Sequence, residues 1–270
     1  MKNLTKYLVI AIIPFLFTSC EKSEESPNPT INKIKVGEAM ITDANTKLQI
    51  WADADLNTGY NKLYLIALDA TTNEPKSDAT FAIKPMMTMT MTGGMTMTHS
   101  SPFEQADAAA KKNNLTPAAA VFTMPTSDSG FWKMEVTLNN NKKAIIPIKV
   151  EESKQSRLIM ASTADKTNYI VALLPNPAYK IGANDFELQI SRKIDANTYT
   201  PVNDFTVEMT PEMPDMGHGS PNNVNPTFVA NGHYKGKVNF TMSGYWKVNL
   251  KIKDASGTTI GEDTFFKITF

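Results

Sequence analysis

Apolar and polar residues alternate with period two along several short stretches of this chain. Trp132-Lys133-Met134-Glu135-Val136 and Trp246-Lys247-Val248-Asn249-Leu250 do so strictly, which marks strands with one buried face. Lys62 to Leu68 and Asp185 to Ile190 alternate or run apolar. Clusters of Asn, Asp, Gly and Pro separate the runs, as at Asn139 to Asn141 and Asp254 to Gly257, and such clusters read as turns. Many short strands punctuated in this way predict an all-β fold made of β-sandwiches. One helix is predicted. Ser101-Pro102-Phe103-Glu104 offers an N-cap, a proline at N1 and a glutamate at N3 ahead of an Ala-rich stretch from Ala106 to Lys112.

The pattern is written twice. Phe122-Thr123-Met124 followed by Ser129-Gly130-Phe131-Trp132-Lys133-Met134 corresponds to Phe240-Thr241-Met242 followed by Ser243-Gly244-Tyr245-Trp246-Lys247-Val248. Met97-Thr98-His99-Ser100-Ser101-Pro102 corresponds to Met216-Gly217-His218-Gly219-Ser220-Pro221, and Phe81-Ala82-Ile83 to Phe205-Thr206-Val207. The blocks keep their order at a spacing of roughly 120 residues, the length of a domain rather than of a solenoid unit. The expected organisation is a first sandwich over 31–150 and a second over 157–270, with the boundary in the polar stretch 151–156. The predicted helix has no counterpart in the second copy, where the sequence is rich in Asn and Pro.

The chain has 270 residues with 27 basic and 27 acidic side chains, so it has neither the strong positive charge of a nucleic-acid binder nor an acidic tail's excess. Its mean hydropathy of −0.27 excludes a multi-span membrane protein. Lys2 and Lys6 precede an apolar run from Leu8 to Phe17, too short to span a bilayer but right for a signal-peptide core. The run ends at Leu16-Phe17-Thr18-Ser19-Cys20, and Cys20 is the only cysteine, which excludes a disulfide framework or a multi-cysteine zinc site. This segment resembles a bacterial lipobox, with Phe17 where an aliphatic residue is usual. The resemblance implies a signal peptide over 1–19 and a lipidated Cys20. The acidic, Ser- and Pro-containing residues 20–30 read as a disordered tether and resemble the surface-export signal of Bacteroidetes lipoproteins. The expected location is the bacterial envelope, at the outer membrane or cell surface, with the membrane reached through a lipid anchor.

Methionine usage changes the picture most. Of 15 methionines, Met86, Met87, Met89, Met91, Met95 and Met97 fall just before His99, and Met209, Met213 and Met216 just before His218. Each segment ends in Met-x-His. Thioether sulfur is a soft, neutral ligand that favours Cu(I), and imidazole serves either copper oxidation state. The first segment alternates Met with Thr on both sides of Thr92-Gly93-Gly94, which predicts a hairpin. A three-residue loop would pair Met91 with Met95, Met89 with Met97 and Met87 with His99, placing all soft ligands on one face; a two-residue Gly-Gly loop would split them between faces. In the second segment Met213 and Met216 are three apart, so Pro214 and Gly217 must bend the chain for both sulfurs to reach one ion. Methionine also fills irregular cores and lines surfaces that bind apolar partners. Met124, Met134 and Met242 are read as packing residues, and His233, in Gly232-His233-Tyr234, as a strand or turn residue.

Met213-Pro214-Asp215-Met216-Gly217-His218, Gly232-His233-Tyr234 and Met242-Ser243-Gly244-Tyr245-Trp246 resemble the YtkA-like / FixH-like domain, with its M-P-x-M-x-H segment, G-x-Y strand start and final M-x-G-x-W strand. The first copy keeps Met97, His99, Met124 and Trp132 but has Leu115-Thr116-Pro117 in place of the G-x-Y element. The resemblance implies tandem immunoglobulin-like sandwiches in the envelope and a link to copper handling. It carries metal ligation onto Met213, Met216 and His218, and more weakly onto Met97 and His99. Met87, Met89, Met91 and Met95 are candidates from the pattern alone.

The function expected is copper binding, Cu(I) above all, by an envelope lipoprotein that hands metal to an acceptor or an envelope protein partner. The alternative is a surface lipoprotein that docks a protein through its Met-rich loops without metal. No G-x-S-x-G, Walker A, H-E-x-x-H or dinucleotide fingerprint is present, and three histidines leave little general-base capacity. The expectation is therefore a non-enzyme with no nucleic-acid partner.

Overall fold

The computed structural model describes residues 29–261 and 263–270. The segments expected to be a signal peptide, the lipidated Cys20 and nearly all of the tether lie outside the described residues. Nine strands form the first half: β1 (Ile34–Ile41), β2 (Thr46–Ala52), β3 (Gly59–Asp69), β4 (Phe81–Thr90), β5 (Thr96–Ser100), β6 (Phe103–Glu104), β7 (Thr116–Phe122), β8 (Gly130–Leu138) and β9 (Lys142–Ile148). Ten form the second: β10 (Leu158–Ser162), β11 (Asn168–Leu173), β12 (Gly182–Lys193), β13 (Tyr199–Pro201), β14 (Thr206–Met213), β15 (His218–Gly219), β16 (Val224–Ala230), β17 (His233–Phe240), β18 (Tyr245–Lys253) and β19 (Phe265–Thr269).

Each half is a pair of antiparallel sheets. The first has orders β1-β2-β3-β7-β6 and β5-β4-β8-β9; the second has β10-β11-β12-β17-β16, with β13 beside β12, and β15-β14-β18-β19. Strand by strand the two orders are the same. The strictly alternating segments became β8 and β18, with Trp132, Met134 and Val136 buried in one core and Trp246, Val248 and Leu250 in the other. The apolar runs became β3 and β12 for a different reason. Tyr60 on β3, Ala119 and Val121 on β7, and Ile170 and Ala172 on β11 form a third buried cluster. The inner sheets of the two halves therefore meet face to face, and strands buried on both faces lose their alternation.

Local chemistry fixes the second sandwich. Tyr234 is fully buried, and its hydroxyl donates to the Val202 carbonyl (3.0 Å) while accepting from the Phe205 N–H (3.0 Å). Gly232 sits at φ 75°, and a Cβ there would fall 2.4 Å from the Ile190 carbonyl oxygen. That close approach explains the glycine of the G-x-Y element.

The predicted helix is absent. Phe103 and Glu104 instead pair with Ala120 and Ala119 as the edge strand β6. The Gln105 side chain bonds both the N–H and the carbonyl of Ile83 (2.8 and 3.1 Å), and Asp107 turns the chain by accepting from the Ala109 N–H (2.9 Å). Ser101 is buried and caps nothing, its hydroxyl lacking a partner. A helix of about seven residues is marginal on its own, and cross-strand and side-chain bonds to the sandwich outcompete it.

Candidate functional site

The Met–Thr segment folds as β4 and β5 around Thr92-Gly93-Gly94. Met89 pairs with Met97 and Met87 with His99, and the Met91 N–H donates to the Met95 carbonyl (2.7 Å). This is the three-residue loop, with Gly93 and Gly94 at φ 89° and 81°. Met87, Met89, Met91, Met95, Met97 and His99 therefore share one face. That face is not uniform. At its base Met87 is buried in the core and Met89 packs on it, whereas Met91, Met95 and Met97 are 42%, 71% and 51% exposed. Met87 is thus a core side chain beneath the face rather than a presented ligand. Met86, on the opposite face, is buried as well.

His99 stands edge-on to Trp132, with ring centroids 5.9 Å apart. Trp132 is buried beside Met87 on the next strand and donates its indole N–H to the Met124 carbonyl (2.9 Å). His99 Nδ1 lies 2.9 Å from the Ser100 carbonyl oxygen. A carbonyl can only accept, so Nδ1 is the donor, and in the neutral ring this tautomer leaves the lone pair on Nε2. Metal-binding imidazoles are commonly oriented in this way.

The second half repeats the construction. Met213 pairs with His218, and a 3₁₀ turn over Pro214–Met216 ends at Gly217 with φ 65°, so the segment bends at the residues where the sequence required it. His218 lies edge-on to Trp246 at 5.9 Å, the Trp246 indole donates to the Met242 carbonyl (3.0 Å), and His218 Nδ1 is 3.0 Å from the Gly219 carbonyl. Met213 belongs to the core, as does Met209, and Met216 is 61% exposed. Met213 and Met216 thus do not form an equivalent pair: one supports His218 from below, the other stands beside it in solvent. Glycines make room for the buried sulfurs. A Cβ at Gly130 would meet the Met87 methyl at 2.7 Å, and one at Gly244 the Met213 methyl at 3.0 Å.

The packing assignment holds for Met134, and for Met124, which packs partly buried against the first core, but needs correction at Met242. Met124 and Met242 both lie in bends ahead of the Trp strand, not in alternating strands, and Met242 is exposed. Met124 and Met160, the latter on β10 and never singled out by the sequence, line one cleft with Met97 and His99. An isolated methionine such as Met160 carries no pattern to mark it.

His233 opens strand β17, in keeping with the strand-or-turn reading, and it also bridges the two halves. Its Nε2 is 2.7 Å from Glu104 of the first half and its Nδ1 2.7 Å from Glu187 of the second, with Tyr60 edge-on at 5.8 Å. Burial alone would lower its pKa, but the hydrogen bonds and negative charge of the two carboxylates prevail and raise it to about 9. Residues 129 positions apart leave no local signal of such a pairing.

The donor set suits a soft cation. Among the described residues no three His, Cys, Asp or Glu side chains gather as a metal group, so neutral thioether and imidazole are what each Met-x-His site offers. The fold and these sites define a class: an all-β protein of two stacked sandwiches, each carrying an oriented histidine beside methionine over a buried tryptophan. The sequence model of the YtkA-like family matches residues 163–251, which span most of the second sandwich and include Met213, Met216, His218 and Trp246. No curated protein sequence matches the chain.

Proposed function

We propose that this chain is a lipid-anchored bacterial envelope protein that binds Cu(I) at two Met–His sites, one per sandwich, and passes it to an acceptor. In this reading the first sandwich is a diverged copy of the YtkA-like second one, and Cys20 carries the lipid. One observation carries the reading: the two histidines are prepared alike, each with Nδ1 tied to the next residue's carbonyl, no partner for Nε2 among the described residues, a methionine two positions earlier and a tryptophan ring in a T-shaped contact behind. Nothing in sandwich packing requires an oriented imidazole at the same place twice. Binding, not catalysis, is the activity proposed.

The test is titration of the full chain with Cu(I) against a competing chelator. Two ions per chain are expected, His99→Ala and His218→Ala each removing one. The exposed Met91 and Met95 at the hairpin tip favour a second reading, docking of an apolar protein surface. Absence of stoichiometric Cu(I) binding would overturn the copper reading in its favour.

A further inference from the structure

The two Met–His sites differ in what surrounds them. His218 and Met216 face solvent, whereas His99 and Met97 line a cleft of about 390 Å³ whose far wall is the second sandwich. Met160 reaches it from β10, and Tyr169 and Tyr199 add aromatic walls. The cleft is built onto the interface: the Ser100 N–H, next to His99, donates to the Ala196 carbonyl of the other half (2.8 Å), and the Ser100 hydroxyl donates to Pro85 (2.8 Å). Ile170, which pairs with Met160 across β10 and β11, belongs to the interface cluster.

We infer that this inter-domain cleft is a single soft-cation site, taking one Cu(I) or Ag(I) ion on His99 Nε2 and the thioethers of Met97, Met124 and Met160, the last supplied by the second domain. The inference rests on the copper reading above and extends it to ligands outside both Met-x-His segments. The lining chemistry selects the ion. The cleft has three thioethers and one imidazole but no carboxylate and no thiol, a set that favours soft monovalent cations over hard divalent ones. Its one charged lining residue, Lys193, repels a divalent cation more strongly than a monovalent one at the same distance. Methionine has three rotatable bonds past its backbone, which suits sulfurs that line one cleft from three separate elements to a shared ion. Binding there ties the two sandwiches together. The His218 site has no such second wall and exchanges its metal more readily.

The test uses the full chain carrying His218→Ala, so that only the cleft site remains, with methyl-labelled methionine and Ag(I) as probe. The methyl resonances of Met97, Met124 and Met160 are expected to shift together and saturate at one ion, while that of Met40, exposed on β1, stays in place. Met160→Leu and Met124→Leu, close in volume to the native residues, are each expected to weaken Ag(I) binding by at least about tenfold, as loss of a ligand or its support does. Met160 is 65% exposed, so its replacement leaves the fold intact, and thermal unfolding of both variants verifies this. If Met97 responds while Met124 and Met160 do not, and the two leucine variants bind as before, the cleft site is overturned but the Met–His reading survives. If no methionine responds to Ag(I), both fall.

Discussion

At the residue scale, the two tryptophan–histidine contacts show how one side chain serves fold and site together. Trp132 and Trp246 fill their cores, and each spends its only polar side-chain atom on the carbonyl of a methionine in the bend before its strand. The rest of each buried ring is then left to brace a histidine. Glycines set the limits of this packing, and Gly232 is the most constrained. A side chain there faces left-handed backbone, costing roughly 1–2 kcal/mol, and also a Cβ that would press on the backbone oxygen of Ile190. Backbone cannot swing aside as a methionine methyl can. Gly232→Ala is therefore expected to destabilise the second sandwich by about 2–3 kcal/mol, within the range of strained-backbone substitutions, and chemical denaturation would measure it. Gly130→Ala, whose Cβ would press on the end of the Met87 side chain and otherwise make ordinary contacts, is expected to cost less; equal losses at the two sites would refute the distinction.

At the scale of elements, the hairpin of β4 and β5 was legible and the helix was not. Period-two patterning carries register information, because a one-residue slip would have moved every methionine to the other face, and the loop glycines agreed with it. The capping signature at Ser101 to Glu104 was equally clear. It lost to long-range partners, Ala119, Ala120 and the Ile83 backbone, that no local window contains. Burial along the hairpin was also hidden, since Met87 and Met97 belong to the same repeat but differ in what stands opposite them. The glycine turn permits a direct test. Neither Gly93 nor Gly94 has anything within 4 Å of an added Cβ, so alanine there meets strain from positive φ alone. Each Gly→Ala change is expected to lower the opening free energy of the Met89–Met97 pair by roughly 1–2 kcal/mol, read by amide hydrogen exchange, with the register retained. Unchanged protection would mean that the base of the hairpin, held at Ser100, sets its stability without the turn.

At the scale of the whole molecule, the cleft and the Glu104–His233–Glu187 bridge sit on one inter-domain face, so the state of one bears on the other. His233 takes up a proton more tightly in the folded chain than its ordinary 6.5, at about 9. The stability it supplies is therefore complete below about pH 6.5 and disappears as pH rises through 9. A shift of that size in a group only 13% exposed corresponds to roughly 3 kcal/mol. Glu187 acts in the opposite sense. Burial would raise its pKa, but His233 and Lys235 hold it below the ordinary carboxylate value, so its share is present above about pH 4.5 and is lost on acidification. The bridge is thus strongest between these limits. Tyr60, the remaining titratable group against His233, stays protonated throughout, its pKa raised by burial and by the Glu104 charge. Thermal stability is expected to fall as pH rises from 7 to 10, and His233→Gln should lower the melting temperature at pH 7 by several degrees, at about 2–4 °C per kcal/mol for a protein of this size, while flattening that decline. If the cleft needs the second sandwich as its far wall, Ag(I) affinity at the His99 site should weaken over the same alkaline range and the His218 site should not follow. A parallel decline at both sites would assign the pH effect to the metal's own chemistry and detach the bridge from the cleft.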